Sequence, residues 1–323
     1  MNRFLRGGEA GGKAGTVLAV WAAGLVLQTA VAAGGASAPA ATRSAAAAPP
    51  SLAVAFPKTY DRYETSKLYI GLLDHVARCA AVRLVNLRGD PIERGPEMLD
   101  LLSEKDMLEA LKTGRLQLAQ VTAGLVPVAM DSTDARPFAV RGDGATGNAS
   151  TYRLNLIVKA ESPYRAPTDL KGRKIAHTTP GSNSGNLAPR AYFPGLGLTP
   201  DTDYTVIYSR GHERSIVGVL HGFYDGAAVA SDQFQRMIRK GEVSASSFRV
   251  LWESPPFPAE AWMLSGRVPA ALRDKVVRCV GDYRIPASLV PLLEGADRYV
   301  PIEPEKAYEP VRFVLSKSRP AAR

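Results

Sequence analysis

From Leu52 onward the chain alternates between two hydrophobic patterns. Residues 52–56 form a short continuous apolar run closed by Pro57, and Tyr69, Leu72, Leu73, Val76 and Ala80 then recur at helical spacing. Residues 82–87 repeat the strand pattern. Ser103, followed three residues later by Asp106, has the form of a capping box, and Met107, Leu108 and Leu111 make one apolar helical face that Gly114 ends. Residues 116–121 return as a strand. Alternation of this kind predicts an α/β fold with mainly parallel sheets flanked by helices.

Residues 141–150, rich in Gly, Ala, Asn and Ser, read as a surface connection, after which a second unit begins. It holds strands at 152–158, 174–177, 204–208, 224–230 and 248–252, a helix over 212–221 and another capped by Ser231. Beyond the prolines of 254–258 come a strand at 261–264 and a helix over 269–280. The pattern predicts two lobes. Lobe 1 is built from 51–150 and 254–323, and lobe 2 from 151–253. Two crossings make a hinge, and the cleft between such lobes is a preferred ligand site.

The N-terminus stands apart from this pattern. Arg3, Arg6 and Lys13 precede an uncharged apolar run over 16–33, and Ala30-Val31-Ala32 supplies an A-x-A cleavage pattern. Residues 1–32 therefore read as a signal peptide cleaved after Ala32 or within the Ala-rich stretch to Ala40, which directs the chain to the periplasm. An uncleaved anchor is the competing reading, since the run is near the minimum length of a membrane span. No cysteine precedes Cys79, which excludes a lipoprotein anchor on this signal. Residues 33–50, almost all Ala, Gly, Ser and Pro, read as a flexible leader.

Composition narrows the function. An apolar content of 46% and a charged content of 22% suit a folded protein, and the formal charge of +9 suits an anionic partner or an acidic envelope surface. No run of Lys and Arg with interleaved aromatics is present, which argues against nucleic acid. Cys79 and Cys279 are the two cysteines, and neither has metal-ligand spacing with His75, His177, His212 or His221. No metal or cofactor is expected. Cys79 falls on the first predicted helix and Cys279 on a helix after the return to lobe 1, so a disulfide between them in an oxidising compartment is one of two open readings.

The most informative stretch is 167–185. A strand at 174–177 runs into a loop of small hydroxyl and amide residues, and a helical segment follows over 186–193. Ser182, Asn183 and Ser184 then stand where the first free N–H groups of that helix point outward, an arrangement that binds anions. An ordinary N-cap is the competing reading.

Four segments in order resemble the periplasmic phosphate/phosphite/phosphonate-binding proteins of ABC transporters. Residues 169–174 (D-L-K-G-R-K) match the D-L-K-G-K-x opening of that family's second lobe, and 180–185 (P-G-S-N-S-G) its P-x-S-T-S-G anion loop. Residues 209–213 (S-R-G-H-E) match S-G-G-H-D, and 254–260 (S-P-P-F-P-A-E) match S-x-P-I-P-N-D. The resemblance implies a two-lobed type II periplasmic binding fold that closes on a small anionic ligand and delivers it to an ABC permease in the inner membrane as a monomer. It implies donors to the oxyanion from Ser182, Asn183 and Ser184, and an imidazole donor from His212 that can be charged beside an anion. Glu260 falls where the family often has an Asp that accepts from a ligand's protonated face or amino group, and Asp232 where a second ligand-facing acid can sit. For both, a plain solvated or helix-start charge is the competing reading.

Departures leave the ligand open. Asn183 replaces the usual Thr, and Thr122-Ala123 the usual Gly-Pro. The regions around Glu104 and Val126 lack the tyrosines that family members often carry there. A sulfonate, a pyrimidine or a sensory role are the alternatives to oxyanion uptake. A secreted hydrolase is disfavoured, because 181–185 places Asn where G-x-S-x-G needs the nucleophile.

Overall fold

The computed structural model describes residues 48–318; the expected signal peptide and nearly all of the leader lie outside the described residues. β1 (Ser51–Pro57) is buried along all but its first residue, so its continuous apolar run marks a central strand covered on both faces. It pairs in parallel with β2 (Arg83–Val85), β3 (Asp100–Leu102) and β4 (Leu118–Val121). Helices make these connections. α1 (Arg62–Ala80) starts at Asp61, whose carboxylate accepts the Glu64 N–H, and ends where Ala81 turns left-handed at φ 53°. α2 (Glu104–Lys112) starts at Ser103, whose hydroxyl accepts the Asp106 N–H and donates to the Asp106 carboxylate. α3 (Val126–Ser132) follows β4.

β5 (Arg136–Gly142) carries the chain out of the first sheet, and β6 (Thr151–Tyr152) lies in the crossing. The second sheet runs in the order β11 (Phe248–Glu253), β7 (Leu154–Lys159), β10 (Gly226–Ala230), β8 (Lys174–His177), β9 (Thr205–Tyr208). On the way back, β12 (Phe257–Pro258) pairs with β6, and β13 (Ala261–Leu264) and β14 (Arg298–Pro301) rejoin the first sheet. That sheet reads β14–β5–β13–β4–β1–β2, with β3 also on β1.

The sheets are mixed rather than mainly parallel. In both, every antiparallel pairing involves β5, β7, β11 or β13, the strands that take the chain into or out of a lobe. A strand reached through a helix must run parallel to the one before it, whereas a strand arriving from the other lobe enters from the opposite end. Periodicity reports burial and not direction, so the sequence could not show this.

Two further expectations change. Ser231 does not cap the helix it begins; Ala230 holds that position, and the Ser231 hydroxyl accepts the Arg153 N–H at the start of β7. Arg141, read from its neighbours as part of a surface connection, lies in β5 and is 5% exposed.

Three apolar clusters hold the fold. One joins α1 and α7 (Ala270–Asp282) to the first sheet around Phe56, Trp262 and Tyr299. Another covers one face of the second sheet with Ile216, Val219, Phe234 and Met237. The third continues from Met107 and Val126 through Tyr152 and Phe257 to Phe193, Tyr204 and Val311 of the C-terminal helix Glu309–Ser318. It joins the two lobes beneath their crossings. That last helix touches both sides: Phe313 meets Tyr192 with ring centroids 5.8 Å apart, and Arg312 grips Asp131 of α3 through two 2.9 Å hydrogen bonds. Cys79 and Cys279 form a disulfide that pins α1 to α7, with Cα atoms 5.8 Å apart.

Candidate functional site

β1, β3 and β4 of one sheet, and β8, β9 and β10 of the other, end at a common cleft of roughly 660 Å³. Residues 57–59, 102–105 and 122–124 line it from the first lobe, and 178–184, 210–214, 230, 232 and 233 from the second. Tyr152 and Glu260 join from the crossings. Residues just past the carboxyl ends of strands are where open α/β sheets bind ligands, because helix N-termini gather there.

The second-lobe wall is built around such starts. Ser182 caps a π-helical turn, Asn183–Leu187, its hydroxyl accepting the Gly185 N–H at 3.2 Å. The amides of Asn183 and Ser184 come first in the turn and have no acceptor among the described residues. α4 (Ala188–Tyr192) continues from it. The loop is braced from behind. Asn186 donates to the Pro180 carbonyl at 2.7 Å, its Oδ1 accepts from His177 Nδ1, and His177 Nε2 accepts from the Tyr204 hydroxyl, both at 2.9 Å. Burial pushes the His177 imidazole down to about 4, so this relay is uncharged at neutral pH. Gly185 is required by space, since a Cβ there would stand 1.9 Å from Thr178 Oγ1.

A second helix start lies alongside. α5 (His212–Leu220) follows Gly211, which offers no side-chain cap, and the amides of His212, Glu213 and Arg214 have no acceptor among the described residues. Just before it Arg210 adopts a left-handed φ of 70°. His212 Nδ1 accepts the Ala230 N–H at 3.1 Å, which leaves Nε2–H as the donor. Burial pushes this imidazole down to about 4. With Nδ1 so engaged the ring is neutral, whereas the resemblance implies an imidazole that can be charged once an anion lies beside it.

All six candidates, Ser182, Asn183, Ser184, His212, Asp232 and Glu260, line this cleft. The two acids already have a partner. Arg141 bonds Asp232 at 3.0 Å and Glu260, and it pairs with Glu294 at 2.6 Å. Asn183 donates through Nδ2 to the Tyr152 hydroxyl at 3.0 Å. Sequence reasoning missed Tyr152 and Thr178, which no motif marks, and noted Thr122 only as a departure from the family's Gly-Pro. Thr122 Oγ1, Thr178 Oγ1 and Asn183 Oδ1 are buried with no partner among the described residues.

The first-lobe wall differs. Glu104, the first residue of α2, extends toward the 180–185 loop, so that a Cβ on Gly181 would stand 1.5 Å from Glu104 Oε2. Burial raises its carboxyl above the usual range. Lys58, Lys105, Arg210 and Arg214 line the same cleft but are exposed. The walls also meet directly. A Cβ on Gly124 would be 2.7 Å from the Gly181 carbonyl. At α6 (Ser231–Arg239), Gln233 donates to the Tyr60 hydroxyl at 2.9 Å, and the Arg236 guanidinium stacks 4.0 Å above the Tyr60 ring while pairing with Glu64.

Residues 102–306 match the model of a family described as ABC transporter, phosphonate, periplasmic substrate-binding protein. Among solved structures, the chain is similar to a binding-protein component of an ABC phosphonate transporter from Pseudomonas aeruginosa, at 16% identity and a TM-score of 0.67 over 83% of this chain and 87% of that one. It is similar to PhnD1 from Prochlorococcus marinus in complex with methylphosphonate, at 14% identity and a TM-score of 0.67 over 83% and 98%. XAC2383 from Xanthomonas citri, in a structure bound to ATP, aligns at 17% identity and a TM-score of 0.61 over 83% and 99%. At these identities the likeness establishes the fold.

Proposed function

The chain belongs to the periplasmic substrate-binding proteins of phosphonate ABC transporters, and from that premise we propose that it captures a small phosphonate-, phosphite- or phosphate-like oxyanion and presents it to an inner-membrane permease. It is a transport component rather than an enzyme. The observation that carries the ligand class is the set of unpaired amides at two helix starts, 183–184 and 212–214, on one wall of one cleft. Converging N–H groups and positive helix ends hold an anion without a buried lysine, and each hydrogen bond to a charged group contributes about 1.5–3 kcal/mol. In this reading Asn183 and Ser184 give backbone donors, Ser184 adds its hydroxyl, and His212 adds Nε2–H. Ser182 holds the loop's shape through its cap. Asp232 and Glu260 form the floor with Arg141 instead of meeting a ligand amine. The exported chain works as a monomer, and its lobes close about the crossings at β6 and β12.

A thermal-shift screen tests this with the mature protein and phosphate, phosphite, methylphosphonate, aminoethylphosphonate, sulfate and taurine. A ligand at 100 times its dissociation constant stabilises the native state by about 2.7 kcal/mol. Stabilisation by a phosphorus oxyanion is the expected result, and a response to none of them overturns the proposal.

A further inference from the structure

Glu104 is the one acidic side chain in the cleft that has no hydrogen-bond or ion-pair partner among the described residues and also lies against the anion loop. Asp232 and Glu260 are held by Arg141, and Glu213 is 3.7 Å from Arg236. An oxyanion seated on the amides of Asn183 and Ser184 would therefore have Glu104 as its neighbour across the cleft. Two like charges sharing a desolvated site do not both stay ionised, so a proton must lie between them. We propose that Glu104 is a specificity-determining residue that accepts a hydrogen bond from the hydroxyl of a singly protonated phosphorus oxyanion, and so selects hydrogen phosphonates over sulfonates and sulfate of similar shape. This rests on the oxyanion reading above and goes further, to the protonation state of the ligand.

The surroundings of Glu104 fit that role. Lys58 and Lys105 on its own wall are exposed, as are Arg210 and Arg214 opposite. None of these cations offsets its desolvation; burial is the cause of its raised carboxyl. His212 opposite is neutral. A second acceptor lies in the loop itself, because Asn183 commits Nδ2 to Tyr152 and its Oδ1 is buried without a partner. Acceptors beside an anion site suit a ligand that brings its own donor. A hydrogen phosphonate brings one P–OH. A sulfonate at neutral pH brings none, and can bind only by protonating Glu104.

The experiment is calorimetric titration of methylphosphonate and methanesulfonate into the wild type and Glu104→Gln, from about pH 5.5 to about pH 8.5. Buffers of different ionisation enthalpy count the protons taken up on binding. Gln keeps the size of the side chain but can donate as well as accept, so the required proton disappears. In the wild type, methylphosphonate affinity should fall about tenfold per pH unit above the ligand's second ionisation, with uptake approaching one proton. In Glu104→Gln that slope and uptake should largely vanish, and methanesulfonate at pH 8 should gain at least about tenfold in affinity. Equal slopes and equal selectivity in the two proteins, with methylphosphonate still bound, would overturn the role of Glu104 while leaving oxyanion capture intact. Absence of binding by every phosphorus oxyanion would overturn both.

Discussion

The two walls of the cleft use the same device, a strand running into a helix start, to opposite effect. On the second-lobe wall the residues at the starts are Ser182, Asn183, Ser184 and Gly211, small enough to leave the amides of 183–184 and 212–214 open to a ligand. On the first-lobe wall α2 begins with Glu104, whose carboxylate reaches across to Gly181. One wall offers donors from the backbone, and the other offers an acceptor from a side chain. The polarity of a helix-start site is thus set by what stands on it, because the dipole is the same in both.

The floor beneath both walls should be the most sensitive point. Arg141 neutralises Asp232 of the second lobe and Glu260 and Glu294 of the return segment. Arg141→Met would leave buried carboxylates without their cation, and the expected loss is about 3–5 kcal/mol of stability in chemical denaturation. A loss below about 1 kcal/mol would mean that the acids are free to serve the ligand and that the floor belongs to the binding wall after all.

The next largest effect separates donors from scaffold. Ser184→Ala removes one hydroxyl from the second-lobe wall and leaves its amides in place, so affinity for the oxyanion should fall by about 1.5–3 kcal/mol with folding intact by circular dichroism. Unchanged affinity would reduce the loop to an ordinary helix cap. Gly124→Ala acts on the contact between the walls. Its Cβ would meet the Gly181 carbonyl at 2.7 Å and the Asn183 nitrogen at 3.2 Å, both backbone atoms that cannot rotate away. The expected cost is about 1–3 kcal/mol, appearing in ligand affinity and not in the stability of either sheet. Equal loss in both would show that the contact between the walls helps to hold the fold as well as the ligand.

The second-lobe wall was legible in the sequence because its requirements are local. Small residues between a strand and a helix, and a Gly before His212, are visible without knowing what lies across the cleft. The six candidate residues come to one cleft for this reason, five at helix starts (Ser182, Asn183, Ser184, His212 and Asp232) and Glu260 from the return segment. The rest depended on distant neighbours. Arg141 sits beside a Gly-rich connection, and only the sheet pairing of β5 with β13 and β14 shows that it is buried. The pairing of Cys79 with Cys279 spans 200 residues and was open until α1 and α7 were seen side by side. Glu104 was noticed as a missing tyrosine, but its approach to Gly181 depends on how the two lobes face each other. Strand direction was illegible for the same reason, since it follows from the crossings and not from any local pattern.

The smallest expected effect concerns His212, where a charged donor and a neutral one make different predictions. Its Nδ1 accepts the Ala230 N–H, and its pKa is lowered from 6.5 to about 4 by burial, with Glu260 opposing. The native ring stays neutral down to about pH 4, while the unfolded ring takes a proton as pH falls through 6.5. The unfolded state thus binds more protons across that window, so the contribution of His212 to stability is complete above pH 6.5 and is lost progressively toward pH 4. His177 carries the same shift and should add to the decline. For binding, His212→Ala removes a neutral donor to a charged ligand, worth about 1.5–3 kcal/mol like the Ser184 hydroxyl, and the effect expected to be smallest is its change with pH. The ratio of wild-type to variant affinity should then be the same at pH 6 and pH 8, even though the ligand's own ionisation changes both values. Titrating both proteins at the two pH values decides it. A ratio clearly larger at pH 6 would mean that the bound anion charges the imidazole, which requires His212 to give up its bond to Ala230 and would make the second-lobe wall part charge and part backbone.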